Sequence, residues 1–276
     1  MRPAPLMAVS ALAQLAWLAP LAAQDPLSDW RLEGLRTGFC VQLLLDSTSD
    51  ALEDMPRGYR PLAASEAKDL HLSLRSVVEG QPEFGSWSPS RLCLYAVDTI
   101  HARDFSLSDR SGRRPQLFAA WTVSAMAPDG RARELVLHLY ANSERLMRSA
   151  RLAGQGMREA RLMIGKVLPD GDDNGVASED DRFQVRIGKT LVTWDGRLAG
   201  DSIKVPEPVA IAWVRAAPKG GMANGEIRLQ PSYARAMAGA LKVEGKDQLA
   251  KALRASPTRF AGPALKGGGG SVRFGQ

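Results

Sequence analysis

Residues 117–140 read LFAAWTVSAMAPDGRARELVLHLY, and this stretch decides the fold. Two apolar runs, Leu117 to Met126 and Glu134 to Tyr140, flank Pro128-Asp129-Gly130-Arg131. Asp-Gly tolerates the positive φ that a tight turn needs, so the segment reads as an antiparallel hairpin. Strand-like runs continue outward from it at Phe39 to Leu45, Leu92 to Ile100 and, more ambiguously, Met157 to Val167. Phe183 to Trp194 alternates apolar and polar residues and leads into Asp195-Gly196, which reads as a second hairpin turn. Val209 to Val214, Glu226 to Leu229 and Ala236 to Val243 complete the strands.

Helices are fewer. Asp46 to Asp54 reads as a short one, capped by Ser47 or Ser49. A second runs from Ser65 to about Val78, with Leu70, Leu74, Val77 and Val78 at helical spacing. A third begins at Asn142 or Ser143 and runs to about Ala153, and a fourth spans Lys246 to Arg254. No internal repeat is present. The pattern predicts an α+β fold, predominantly antiparallel β, as a partly closed barrel or sandwich with three to four peripheral helices.

The N-terminus carries a different signal. Arg2 precedes an apolar run from Leu6 to Leu21, and Ala22-Ala23 supply small residues for cleavage. Residues 1–23 therefore read as a secretory signal peptide, too short and alanine-rich for a comfortable membrane span. The expected location is periplasmic or extracellular. With no Cys at the cleavage region and no later apolar span, no transmembrane anchor is expected after cleavage. Residues 24–265 form one expected domain, with Gln24 to Thr37 as a lead-in. Residues 266–276, rich in glycine at Gly267 to Gly270, read as a flexible tail.

The chain is basic, with a formal charge of +6 and a pI near 9.5. Its cations are spread along the sequence and interleaved with acids, whereas nucleic-acid binding wants them clustered. Nucleic acid is therefore not an expected partner. The two cysteines, Cys40 and Cys93, lie in strand-like runs, and export favours one disulfide between them. Two separate buried thiols are the alternative.

Asp170-Gly171-Asp172-Asp173-Asn174-Gly175, followed by Ser178 and Asp181, has the oxygen spacing of a calcium loop. Asp170, Asp172, Asn174 and Asp181 are the candidate ligands. Asp181 is one methylene shorter than the usual closing Glu, and Pro169 with a following strand departs from a helix–loop–helix frame. A solvated acidic turn is the competing reading. No cofactor is expected beyond a structural calcium. His71, His101 and His138 share no ligand spacing; any one could serve as a base, though each also reads as an ordinary histidine. No Gly-x-Ser-x-Gly elbow or phosphate loop is present. Trp121, Trp194 and Trp213 each fall in an expected strand, where they either pack the core or line a ligand cavity.

Two segments carry a family resemblance. Val41-Gln42-Leu43-Leu44-Leu45-Asp46 leads to Met55-Pro56-Arg57-Gly58-Tyr59-Arg60-Pro61. Leu139-Tyr140-Ala141-Asn142-Ser143 is followed by Ala150-Arg151 and Gly156. Together they resemble the acetoacetate decarboxylase superfamily over about 50 residues. The resemblance implies the fold and, in the family, a lysine that forms a Schiff base with a β-keto acid. Here the matching stretch, Gln155 to Arg161, contains no lysine. The nearest is Lys166, and arginine cannot replace it because its guanidinium stays protonated. The resemblance also leaves Arg151 as a candidate carboxylate ligand.

These readings point first to an exported, non-catalytic binding module, holding a small organic acid or lipid-like ligand in an apolar β cavity. The alternatives are a lyase that uses Lys166, an unrelated hydrolase, or a calcium-stapled structural or interaction protein.

Overall fold

The computed structural model describes residues 30–53, 55–67, 72–102, 105–108, 116–152, 156–164, 183–187, 190–204, 209–216, 221–229, 233–257, 259–261 and 264–275. Residues 1–23, Lys166 and the acidic loop 170–181 lie outside them. Sixteen strands are present among the described residues: β1 (Trp30–Leu45), β2 (Arg60–Pro61), β3 (Ser88–Val97), β4 (Thr99–Ala102), β5 (Phe105–Ser108), β6 (Gln116–Met126), β7 (Ala132–Ala141), β8 (Arg158–Glu159), β9 (Arg161–Ile164), β10 (Phe183–Ile187), β11 (Thr190–Lys204), β12 (Val209–Ala216), β13 (Met222–Leu229), β14 (Tyr233–Glu244), β15 (Arg259–Ala261) and β16 (Ala264–Gly275). Three α-helices accompany them: α1 (Leu72–Gly80), α2 (Glu144–Leu152) and α3 (Gln248–Ala255).

The strands form one largely antiparallel sheet. Its pairings run from β1 through β3, β6, β7, β12, β13 and β16, and β16 meets β1 again. The circuit is joined between β7 and β12 by only two parallel residue pairs, Trp213 with Glu134 and Val214 with Leu135. The expected α+β class, predominantly antiparallel, is therefore observed, without a closed barrel among the described residues and with a loose seam at β7–β12.

The apolar runs that marked the hairpin lie in the most enclosed strands. Leu117, Ala119, Trp121, Val123 and Ala125 face one core cluster with Val41, Leu43, Leu92 and Leu94. Phe118 and Ala120, on the opposite face of β6, join Cys93, Tyr95 and Leu146 in a second cluster. Burial on both faces explains why this strand reads as a continuous apolar run. The turn between β6 and β7 uses Gly130 at φ 75°, and the Arg131 amide donates to Asp129 Oδ1 at 3.0 Å.

Several boundaries differ from the sequence expectation. The lead-in to Thr37 is partly strand, because β1 starts at Trp30 and pairs there with β4 and β16. Leu92 to Ile100 divides into β3 and β4 around Asp98. The expected helix over Asp46 to Asp54 is a 3-10 turn at Asp50–Leu52, capped by Ser49. The helix expected from Ser65 is replaced by a 3-10 turn at Ala64–Glu66 and by α1. Asp195-Gly196 is not a turn; both residues lie inside β11, paired with Ala240 and Gly239 of β14. The glycine tract expected to be a flexible tail is strand β16, which pairs with β1, β13 and β14 in succession. Of those glycines Gly270 pairs with Leu35, and Gly267 to Gly269 fall at the register shift opposite Leu35 to Thr37.

Cys40 and Cys93 stand directly opposite one another in the β1–β3 register and form a disulfide, with Cα atoms 4.0 Å apart. The bridge spans a sequence separation of 53 residues. Chain-entropy reasoning assigns such a loop roughly 4 kcal/mol of stabilisation. The Cys40→Ala/Cys93→Ala variant should lose stability on that order, read from the shift in denaturant midpoint. An unchanged midpoint would mean that strand pairing alone constrains the loop.

Candidate functional site

The loose seam opens a cleft. One edge of β7 is paired with β6 along its length except at Leu137. The other edge meets β12 at Glu134 and Leu135 and meets β8 at Tyr140 and Ala141. Between these contacts, residues 136 to 139 pair with neither strand among the described residues. A cavity of about 310 Å³ lies against this gap. Leu135 to Leu139 of β7 form one wall. Gly156, Met157 and Arg158 at the start of β8, and Arg215 and Ala216 at the end of β12, form the sides. Ala51, Pro56 and Gln248 of α3 complete the lining.

A break in the β6–β7 ladder decides which side chains face this cleft. Trp121 pairs with His138, but the next residue, Thr122, pairs with Val136, so Leu137 is an extra residue on β7. Such a bulge changes the alternation of the strand that carries it. Leu135 and Tyr140 consequently both face the first core cluster, and Leu137 packs against it. Val136 and Leu139 face the second. His138 falls on the side of Trp121 and Tyr140, with ring centroids at 5.8 Å and 5.9 Å respectively.

Hydrogen bonds fix the strands on either side of the bulge. Glu134, 7% exposed, accepts from Thr122 Oγ1 at 2.7 Å, Ser124 Oγ at 2.9 Å and Arg91 Nη2 at 2.7 Å. A buried carboxylate with three donors, one of them cationic, has its desolvation cost offset, and it locks β3, β6 and β7 in register. Trp121 Nε1 donates to Ser90 Oγ at 3.1 Å, and that hydroxyl donates to the Thr122 carbonyl at 2.6 Å.

The charged groups of the cleft are cationic. Arg158 Nη1 lies 3.4 Å from His138 Nε2. Arg215 crosses the gap from β12 and donates to the Gly156 carbonyl. Burial, with the like charge of Arg158 as a second cause, brings the Arg215 guanidinium down to about 10, which leaves it charged at neutral pH. Burial holds the Tyr140 phenol protonated well above its ordinary range, with Asp247 acting in the same direction and Arg158 against it. Paired guanidiniums beside an imidazole suit a small anion, since their planar forks match a carboxylate.

The sequence candidates distribute unevenly around this site. Trp121 is buried beside it, in contact with His138. Trp213 is buried in the second core cluster. Trp194 lies in β11, and its side chain is outside the described residues. Arg151 is exposed on the last turn of α2, away from the cleft lining. Lys166, Asp170, Asp172, Asn174 and Asp181 lie outside the described residues. Arg158 and Arg215 were not singled out from sequence; Arg158 stood in plain view in the lysine-free stretch Gln155 to Arg161, while nothing local to Arg215 marks it.

Known structures share this architecture. The enduracididine biosynthesis enzyme MppR complexed with pyruvate matches with a TM-score of 0.52 at 13% identity, over 90% of this chain and 89% of that one. MppR complexed with the condensation product of pyruvate and imidazole 4-carboxaldehyde matches with a TM-score of 0.50 at 13% identity, over 90% and 88%. An acetoacetate decarboxylase-like enzyme from Sphingomonas wittichii RW1 aligns over 90% and 91% at 10% identity, but its TM-score of 0.41 is too loose to argue from. No protein-family model and no curated protein matches the sequence. At these identities the likeness is one of fold alone: the chain shares the fold of MppR.

The buried phenols predict an alkaline limit to stability. An unfolded tyrosine ionises near pH 10, whereas burial keeps Tyr95 and Tyr140 protonated to higher pH in the folded state. The folded protein then binds more protons than the unfolded chain, so stability is full below about pH 10 and falls above it. Arg215 works in the opposite sense above about 10, because the folded state releases its proton first. Tyr140→Phe should therefore flatten the loss of stability between pH 9 and 11, measured by denaturant midpoints. An unaltered slope would place the alkaline limit elsewhere.

Proposed function

We propose that the protein is an enzyme of the lyase class that acts on a small 2-oxo carboxylate held in the β7 cleft. The observation that carries this reading is the presence of Arg158, Arg215 and His138 in the lining of one cavity of about 310 Å³. Its volume, at the low end for ligand sites, suits a small molecule. The pyruvate bound by MppR, which shares the fold, supports a 2-oxo acid as the ligand class. Arg158 and Arg215 hold the carboxylate, while Leu137, Leu139 and Met157 pack against the carbon chain and limit water around it. The signal-like residues 1–23 support action outside the cytoplasm.

A second reading, binding without catalysis, is favoured by one observation. The described lining has two arginines and a histidine but no lysine, so no imine-forming amine is among them. Lys166 is the amine to test.

Pyruvate titration by calorimetry separates these readings. Charged hydrogen bonds contribute roughly 1.5–3 kcal/mol each, so Arg158→Met and Arg215→Met should each weaken binding about 10- to 100-fold. Borohydride trapping of pyruvate on Lys166, or turnover of a 2-oxo acid, would support the lyase. Saturable binding with neither would support the binder, and no binding by the unmodified protein would overturn both.

A further inference from the structure

We propose that His138 is the general base of the cleft, removing a proton from the carbon beside the carbonyl of a bound 2-oxo acid, and that Trp121 and Ser90 position its ring. The proposal rests on the reading of the cleft as a carboxylate site and assigns the chemistry done there.

The hydrogen bond to Arg158 sets the state of the ring. A guanidinium has only donors, so His138 Nε2, 3.4 Å from Arg158 Nη1, must accept. The imidazole is then neutral at Nε2, with its proton on Nδ1. The lone pair a base needs faces the guanidinium that would take the substrate's carboxylate. An arriving carboxylate competes for the Arg158 N–H groups, so substrate binding uncovers Nε2. Among the described residues, Tyr140 on its own strand and Arg158 on β8 contact His138, Arg215 on β12 lines the same cavity, and Asp247 acts on Tyr140.

The step balances without an oxidant or reductant. The C3–H bond of the 2-oxo acid breaks and its proton moves to Nε2. The electron pair of that bond forms the C2=C3 double bond, and the carbonyl π pair moves onto oxygen. The neighbouring guanidiniums stabilise the enolate charge that results. Return of a solvent-exchanged proton from His138 regenerates the 2-oxo acid.

The ring is held for this task. The bulge at Leu137 puts His138 on the face of Trp121, whose ring lies 5.8 Å away at 54°. Trp121 is itself fixed through Nε1 to Ser90 Oγ, and Ser90 to the Thr122 carbonyl, all at buried positions. That chain ties β6, the strand paired with β7, to β3 behind it.

The test is exchange of the pyruvate methyl protons in D2O, followed by proton NMR with the full-length protein. The unmodified protein should accelerate exchange. His138→Gln keeps an acceptor for Arg158 and should slow exchange about 100-fold or more, with pyruvate affinity within about threefold. Trp121→Phe and Ser90→Ala should slow exchange about tenfold and displace its pH profile without changing affinity, whereas a purely structural role would lower the melting temperature and leave the profile in place. Pyruvate bound with no acceleration, or His138→Gln exchanging at the unmodified rate, would overturn the assignment and leave the carboxylate reading intact. No pyruvate binding would overturn both. Should His138→Gln not fold, histidine-selective 15N NMR of the unmodified protein decides: saturating pyruvate should shift the His138 Nε2 resonance, and an unmoved resonance overturns the proposal.

Discussion

The cleft exists because strand β7 cannot be paired along its whole length. β12 reaches it for two residue pairs and β8 for two more, and the space between them holds the cavity. Backbone groups in a protein interior need partners, so a sheet ordinarily closes such a gap. Here Arg215 reaches across it instead, donating from β12 to the Gly156 carbonyl ahead of β8. The loose join between β7 and β12 also gathers the cationic side chains.

The same strand carries the second constraint, its register. Were β7 to alternate regularly through Leu137, His138 and Tyr140 would fall on the opposite face of the sheet. Glu134 and its three donors fix the pairing before the bulge, and the backbone ladder from Trp121–His138 to Phe118–Ala141 carries it afterwards. Polar groups buried in this way specify one arrangement more than they add stability.

Much of this architecture was legible in sequence because its signals are local. Asp129-Gly130 marks a turn, Ser49 and Ser143 cap their elements as expected, and the doubly buried run Leu117 to Val123 announces an enclosed strand. Cys40 and Cys93 pair as their runs suggested. The cleft was not legible, since it arises where β7, β8 and β12 meet and none of their sequences records the encounter. Arg158 was in view yet read only as the absence of a lysine. Arg215 was invisible because an arginine ending a strand is most often a solvated one. The misread glycines fail for a related reason: Asp195-Gly196 and Gly267 to Gly270 have the local chemistry of turns and tails, and distant strands override it.

That last strand has a kinetic consequence. β16 pairs Phe274 with Trp30 and Val272 with Leu32, bringing together residues more than two hundred positions apart. It also pairs Phe274 with Gly225 of β13, so it sits between two otherwise separated edges. The entropy of drawing such distant segments together is lost before their contacts repay it. The β1–β3–β6–β7 part of the sheet is built from nearer neighbours and can form early, leaving β1 and β13 as open edges until β16 arrives. During that interval the exposed edges are the chain's most aggregation-prone surface.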